Sequence, residues 1–263
     1  MNNERPLVFA ASLPGQKRSL LYRCNPDGTG RVVVPTGGKT AFYPIWSPDG
    51  MEIVFTTSEA EEAPLLVVGA EGKAAARPLT KTPAYAWLNG NAEEALTLPG
   101  GQKLSWKPRE DAGITSFELT DAKGKRAVKI HPGKGAPTFA DRGISGGVLG
   151  FEVLPAALNA VLGWQLTGGN REGKWKVGLK IDLTTGTGTY WGEYGYSGMM
   201  FAPDGKRFIT CFNRVNAHTE KEEHTLCLGE SARPERLKQL VRATGLIVAD
   251  WRGGFRTSPY SRG

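Results

Sequence analysis

Histidine and cysteine are nearly missing from this chain, with three of each among 263 residues. That scarcity removes most of the side chains that hold transition metals or run nucleophile–base chemistry. Cys24, Cys211 and Cys227 lack CxxC spacing, which argues against a structural zinc site. Cys211 and Cys227 fall on neighbouring predicted strands, so a cross-strand disulfide and a pair of buried thiols both stay open. No apolar run approaches the length of a membrane span. The first apolar stretch, Leu7 to Ala11, is too short for a signal-peptide core. A cytoplasmic protein and an exported, periplasmic one with its leader removed both fit, and the second is preferred. Long amphipathic helical patterns are absent as well.

What the chain has in quantity is glycine and proline, 35 and 17 residues, scattered between short apolar runs. That distribution reads as many tight turns between strands. The net charge is +7 and the pI is about 9.3. Its densest part is 103–134, with Lys103, Lys107, Arg109, Lys123, Lys125, Arg126, Lys129 and Lys134. A solvated strand face accounts for it, and so does an anionic partner such as an acidic glycan. No nucleic-acid-binding motif accompanies the charge, so nucleic acid is set aside.

One pentapeptide pattern occurs twice. Trp46-Ser47-Pro48-Asp49-Gly50 precedes the alternating run Glu52 to Thr57, and Phe201-Ala202-Pro203-Asp204-Gly205 precedes Lys206 to Thr210. Proline presets φ, aspartate hydrogen-bonds back to the turn backbone, and glycine supplies positive φ. Trp46, Pro48, Asp49, Gly50, Phe201, Pro203, Asp204 and Gly205 are therefore read as structural turn residues. Eroded relatives of the pattern stand at Trp87, Phe139 and Trp251, so the interval is roughly 40–60 residues. Strands are expected at Pro6 to Ser12, Ser19 to Cys24, Arg31 to Val34, Phe42 to Trp46, Pro64 to Gly69 and Ala75 to Lys81. Pro155 to Leu162 and Ser231 to Ala243 read equally as short helices or as strands with loose loops.

The stretch Tyr43 to Thr57, continuing through Ala70-Glu71-Gly72-Lys73 and Arg77-Pro78-Leu79-Thr80, resembles the PD40 (WD40-like) repeat of TolB-like propellers. Met200 to Cys211 is a second good match. The resemblance implies an all-β propeller of six four-stranded antiparallel blades, with a protein-binding role and often an exported setting, whereas the spacing of the aromatic turns closes at five, so six or five blades are expected. The N-terminus supplies three strands before the first repeat, and Gly245 to Trp251 is a lone strand at the other end. Pairing that C-terminal strand with the N-terminal blade would close the ring and hide its edges. One domain spanning 1–263 is expected, with 252–263 as a C-terminal tail.

Candidate chemistry is thin. Gly143-Ile144-Ser145-Gly146-Gly147 matches the G-x-S-x-G nucleophile elbow, but a strand rather than a helix is expected after it. Gly38-Lys39-Thr40 lacks the earlier glycine of a phosphate loop, since position 33 is valine. His218 to His224 reads as a charged hairpin loop, and His131 as a loop residue. Trp164, Trp175, Tyr190, Trp191 and Tyr194 cluster beside lysines and read as inter-blade packing or as a rim that binds a ligand. The expectation is a non-catalytic binding module with a protein partner and no cofactor or metal. The alternative is a propeller that binds or cleaves carbohydrate at the channel mouth.

Overall fold

The computed structural model describes residues 6–47, 49–60, 63–80, 95–97, 101–106, 116–132, 150–153, 160–166, 176–194, 199–202, 204–215 and 222–251. Every element among them is a β-strand. The chain divides into two compact units: Met1–Tyr85 with Gly195–Gly254, and Ala86–Tyr194.

The first unit holds three four-stranded sheets. The N-terminal sheet has the order β21-β1-β2-β3, formed by Val248–Trp251, Leu7–Ala11, Leu20–Cys24 and Val32–Val33. The second sheet runs β4-β5-β6-β7 through Phe42–Trp46, Glu52–Thr56, Leu65–Gly69 and Arg77–Pro78. The third runs β17-β18-β19-β20 through Met199–Phe201, Arg207–Val215, Glu222–Glu230 and Arg233–Ala243. The C-terminal strand does join the N-terminal sheet: β21 pairs antiparallel with β1, placing Trp251 opposite Leu7 and Asp250 opposite Val8.

The two pentapeptides fold alike. In each, the glycine N–H donates to the carbonyl three residues back, Gly50 to Ser47 and Gly205 to Ala202, both at 2.8 Å. In each, the aspartate Oδ1 accepts from the amide two residues on, Met51 N and Lys206 N, both at 2.9 Å. Gly50 and Gly205 sit at φ 69° and 64°, the left-handed region that a side chain resists. Pro48 and Pro203 lie outside the described residues.

Alternation on β1 explains the packing of this unit. All five of its residues are buried. Leu7, Phe9 and Ala11 join a core cluster with Ile209, Cys211, Leu226, Val241 and Trp251. Val8 and Ala10 join another with Trp46, Ile53, Phe55, Leu66 and Val68. Successive side chains point to opposite faces, so one face of the N-terminal sheet meets the third sheet and the other meets the second. A strand buried on both faces reads as an unbroken apolar run, LVFAA.

The second unit holds two sheets. One runs β11-β10-β9-β8, from Gly124–Lys129, Ser116–Asp121, Lys103–Trp106 and Ala95–Thr97. The other has five strands in the order β12-β16-β15-β14-β13, from His131–Pro132, Thr187–Tyr194, Lys176–Asp182, Ala160–Leu166 and Gly150–Val153. The fifth strand departs from the expected four: β12 adds to β16 in parallel. His131, read as a loop residue, is on that added strand, with its N–H bonded to Gly186 O at 3.0 Å.

Three further readings are settled by register. Arg233–Ala243 is strand β20, paired along β19, and not a helix. The pairing slips so that Leu226 faces Val241 while Cys227 faces Gln239, leaving Leu240 as an extra residue. That bulge gives the apolar positions their helix-like spacing. No disulfide joins Cys211 to Cys227, because Thr210 is the residue opposite Cys227 and Cys211 is opposite Leu226, which sends the two sulfurs to opposite faces. His224 is not in a solvated loop: β19 begins at Glu222, and His224 is opposite Asn213 and Ala243. Its charged neighbours hide the alternation that would have marked the strand. The tail 252–263, the aromatic turn 85–90, the Gly143–Gly147 elbow and His218 lie outside the described residues.

Candidate functional site

The first strands of the three sheets in unit one approach one another, β17 to β21 and β21 to β4. A repeated clasp joins them. Trp46 N donates to the Asp250 carboxylate at 2.6 Å. Trp251 N donates to the Met200 thioether at 3.1 Å. In both cases the acceptor is the residue just before the closing aromatic of one sheet, and the donor is the closing aromatic of the next. Asp250 is 1% exposed, and a buried carboxylate is stable only when its oxygens are satisfied. The Arg207 guanidinium sits 5.5 Å from the Trp251 ring centroid and adds a cation–π contact at the same junction. The signal in the sequence is an acid directly before the aromatic in VADW, both of them buried.

The two ends of these sheets differ in what they display. One end carries the Pro-Asp-Gly turns, with Met51 63% exposed. The other end carries the β1–β2 loop, residues 12–19, and the β3–β4 loop, residues 34–41. Ala41 N donates to Ser19 O at 3.1 Å, and Thr244 N to Ser12 O at 2.9 Å, which ties these loops together. Arg18 Nη1 donates to Gly38 O across the same gap. Thr36 Oγ1 donates to Lys39 O at 2.6 Å. The chain then enters β4 through Tyr43, at φ 48° the single non-glycine residue in the left-handed region among the described residues. Backbone strain of this kind persists only where surrounding contacts over-determine it.

The titrating groups behave as structural ones. Burial pushes the Cys24 thiol up to about 11, which keeps it a thiol and not a nucleophile. Burial also holds the His224 imidazole below its ordinary 6.5, against the opposing pull of Glu222 and Glu59. Hydrogen bonds from Thr185 and Thr184 hold the Asp182 carboxyl down in the β15–β16 turn. Among the described residues no group of three His, Cys, Asp or Glu side chains is placed to hold a metal ion, and no helix is long and apolar enough to cross a membrane.

The aromatic rim falls on the five-stranded sheet. Trp164 is on β14, paired to Gly178, and Gly178 is paired in turn to Gly192. On β16, Tyr190 is opposite Leu179 and Tyr194 opposite Lys176, with Trp191 at the register slip between them. Trp175 lies outside the described residues. β14 and β16 therefore flank β15 and bring four of the five aromatics to one sheet.

No family model matches the chain, and no curated protein matches it in sequence. Solved structures do. TolB from Acinetobacter baumannii aligns at a TM-score of 0.50 and 14% identity, over 94% of this chain and 66% of that one. A protein described as a 6-phosphogluconolactonase, from Bacteroides fragilis, aligns at 0.43 and 9% identity, over 95% of this chain and 99% of that one. The tricorn protease aligns at 0.40 and 9% identity, over 94% of this chain and 30% of that one. The chain thus spans just under two thirds of the TolB chain, and the likeness to TolB shows fold alone: antiparallel sheets of the β-propeller kind.

Proposed function

We propose that the chain is a β-propeller in which the sheets are blades and the β21–β1 pairing joins the two ends of the chain, and that it works as a non-catalytic module binding a partner protein. The observation that supports this reading is the burial of both faces of β1. Sheets packed on both sides hold their end loops on a rigid frame, and loops so held are where binding residues concentrate. The loops 12–19 and 34–41 are the face assigned to the partner. A photo-crosslinking residue at Lys39 is expected to trap one partner in cells of the source organism, while the same residue at Met51, at the opposite end of β4, traps none. Absence of any adduct at Lys39 would sink the assignment.

A second reading is a carbohydrate-binding surface on the five-stranded sheet. It is favoured by the placement of Trp164 and Tyr194 on strands flanking β15, at register positions that share one face with Lys176, while Tyr190 belongs to the other face; aromatic faces beside cations suit sugar stacking. Glycan-array binding lost on Trp164→Ala, with Lys39 crosslinking absent, would favour it over the first.

A further inference from the structure

The loops 12–19 and 34–41 contain Lys17, Arg18 and Lys39 and not one acidic residue. All three cations are exposed. The Arg18 to Gly38 hydrogen bond fixes the two loops against each other, so the cations share one patch instead of moving independently. A Cβ built on Gly37 would meet nothing within 4 Å, and one on Gly38 would meet only Arg18 Nη1, at 3.9 Å. The space over this part of the loop is open.

A separate observation lies between the loops. Ser19 is only 6% exposed. Its carbonyl accepts from Ala41 N, which fixes it between the two loops, yet its buried Oγ has no hydrogen-bond partner. A buried hydroxyl without a partner costs free energy and calls for an explanation. It follows Arg18 in sequence, and its backbone is bonded to Ala41, two residues beyond Lys39.

We propose that this loop pair is a binding site for a tetrahedral oxyanion, a phosphate group carried free or as a monoester, with Arg18, Lys17 and Lys39 as its cations and Ser19 Oγ as a donor satisfied on binding. Three cations on two loops that carry no acid overmatch a single carboxylate and suit a dianion. The guanidinium offers a forked set of donors and the ammonium groups act as point charges, the division of labour that phosphate recognition uses. The loops are those assigned above to the partner protein, and phosphate binding in solution and crosslinking at Lys39 can fail separately.

The test is titration of the full chain at low ionic strength with inorganic phosphate and, separately, phenyl phosphate, against sodium chloride matched in ionic strength. Saturable binding of phosphate and none of chloride is expected. Preference for phenyl phosphate would mark a phosphorylated ligand, and preference for inorganic phosphate the free ion. The double variant K17Q/K39Q should weaken phosphate binding by about tenfold or more. The control K123Q/K125Q, equally exposed cations on the β8–β11 sheet, should leave it unchanged. Ser19→Ala should weaken binding by about threefold or more without lowering Tm, since its hydroxyl holds no other group. Non-saturable binding, equal loss in the control, or Ser19→Ala moving Tm but not affinity would overturn the proposal.

Discussion

The N-terminal sheet and the β8–β11 sheet have the same strand count and opposite surroundings. On β1 every residue is buried, and its neighbours Leu21, Tyr22 and Cys24 on β2 are too. On β9 and β10 of the β8–β11 sheet the burial alternates, and the edge strand β11 is exposed apart from Val128. Leu104, Phe117, Leu119 and Val128 are buried, while Lys103, Ser116, Lys125 and Lys129 are exposed. Register aligns the exposed set: Thr120 is opposite both Lys103 and Lys125, and Ser116 is opposite Lys129. One sheet is buried on both faces at β1, and the other is wet on one face of β9 and β10. The difference shows that four strands in an antiparallel row do not by themselves fix how a sheet packs. The side chains on its second face decide.

The sharpest way to break this comparison is to cut the same kind of contact in each sheet. Phe9, fully buried and stacked on Tyr22 at 5.0 Å between ring centroids, should cost about 3–5 kcal/mol when changed to alanine. Thr120→Ala on the wet face should stay within about 0.5 kcal/mol. Urea unfolding midpoints measure both, and similar losses would refute the two-faced burial of β1.

The carboxylates offer the next contrast. Asp250→Ala removes the acceptor of Trp46 N from a buried site and should cost about 1–3 kcal/mol. Glu118, paired with Lys125 at 2.9 Å but 46% exposed, should cost under about 0.5 kcal/mol on the same change. Equal effects in a denaturant titration would remove the clasp as a stabilising feature.

Turn glycines should respond alike in both regions, because the cause is backbone and not burial. Gly50 at φ 69° and Gly124 at φ 117° are each expected to lose about 1–2 kcal/mol on change to alanine. A large loss at Gly50 with none at Gly124 would trace the effect to packing instead.

The smallest effect belongs to His224. Its folded value lies below the ordinary 6.5, so between the two values the unfolded chain binds more protons than the folded one. Stability is therefore full above pH 6.5, falls as pH drops through 6.5, and levels off below the folded value. His224→Asn should flatten that part of the stability–pH curve, and an unchanged slope would show that other groups set it.

The repeated turns were legible because their chemistry is local. Pro-Asp-Gly needs only its own backbone to close, and the strands around Trp46 and Phe201 stand where alternation placed them. β20 and His224 were less legible for a physical reason. A bulge breaks the period of two in the first, and a run of Glu, Lys and His masks it around the second. Of the site, the sequence showed Lys39 in a failed phosphate-loop pattern. It could not show Arg18 beside Gly38, which depends on two loops twenty residues apart meeting in space.

By itself the amino-acid order settled what short-range rules can settle: all-β character and the position of the tight turns. Tertiary structure alone decided that Cys211 and Cys227 face opposite sides of their sheet, which acid serves a neighbouring strand, which sheet keeps a wet face, and which cations share a patch. Each of these turns on residues far apart in the chain, and strand register and loop contact, not local preference, bring such residues within reach.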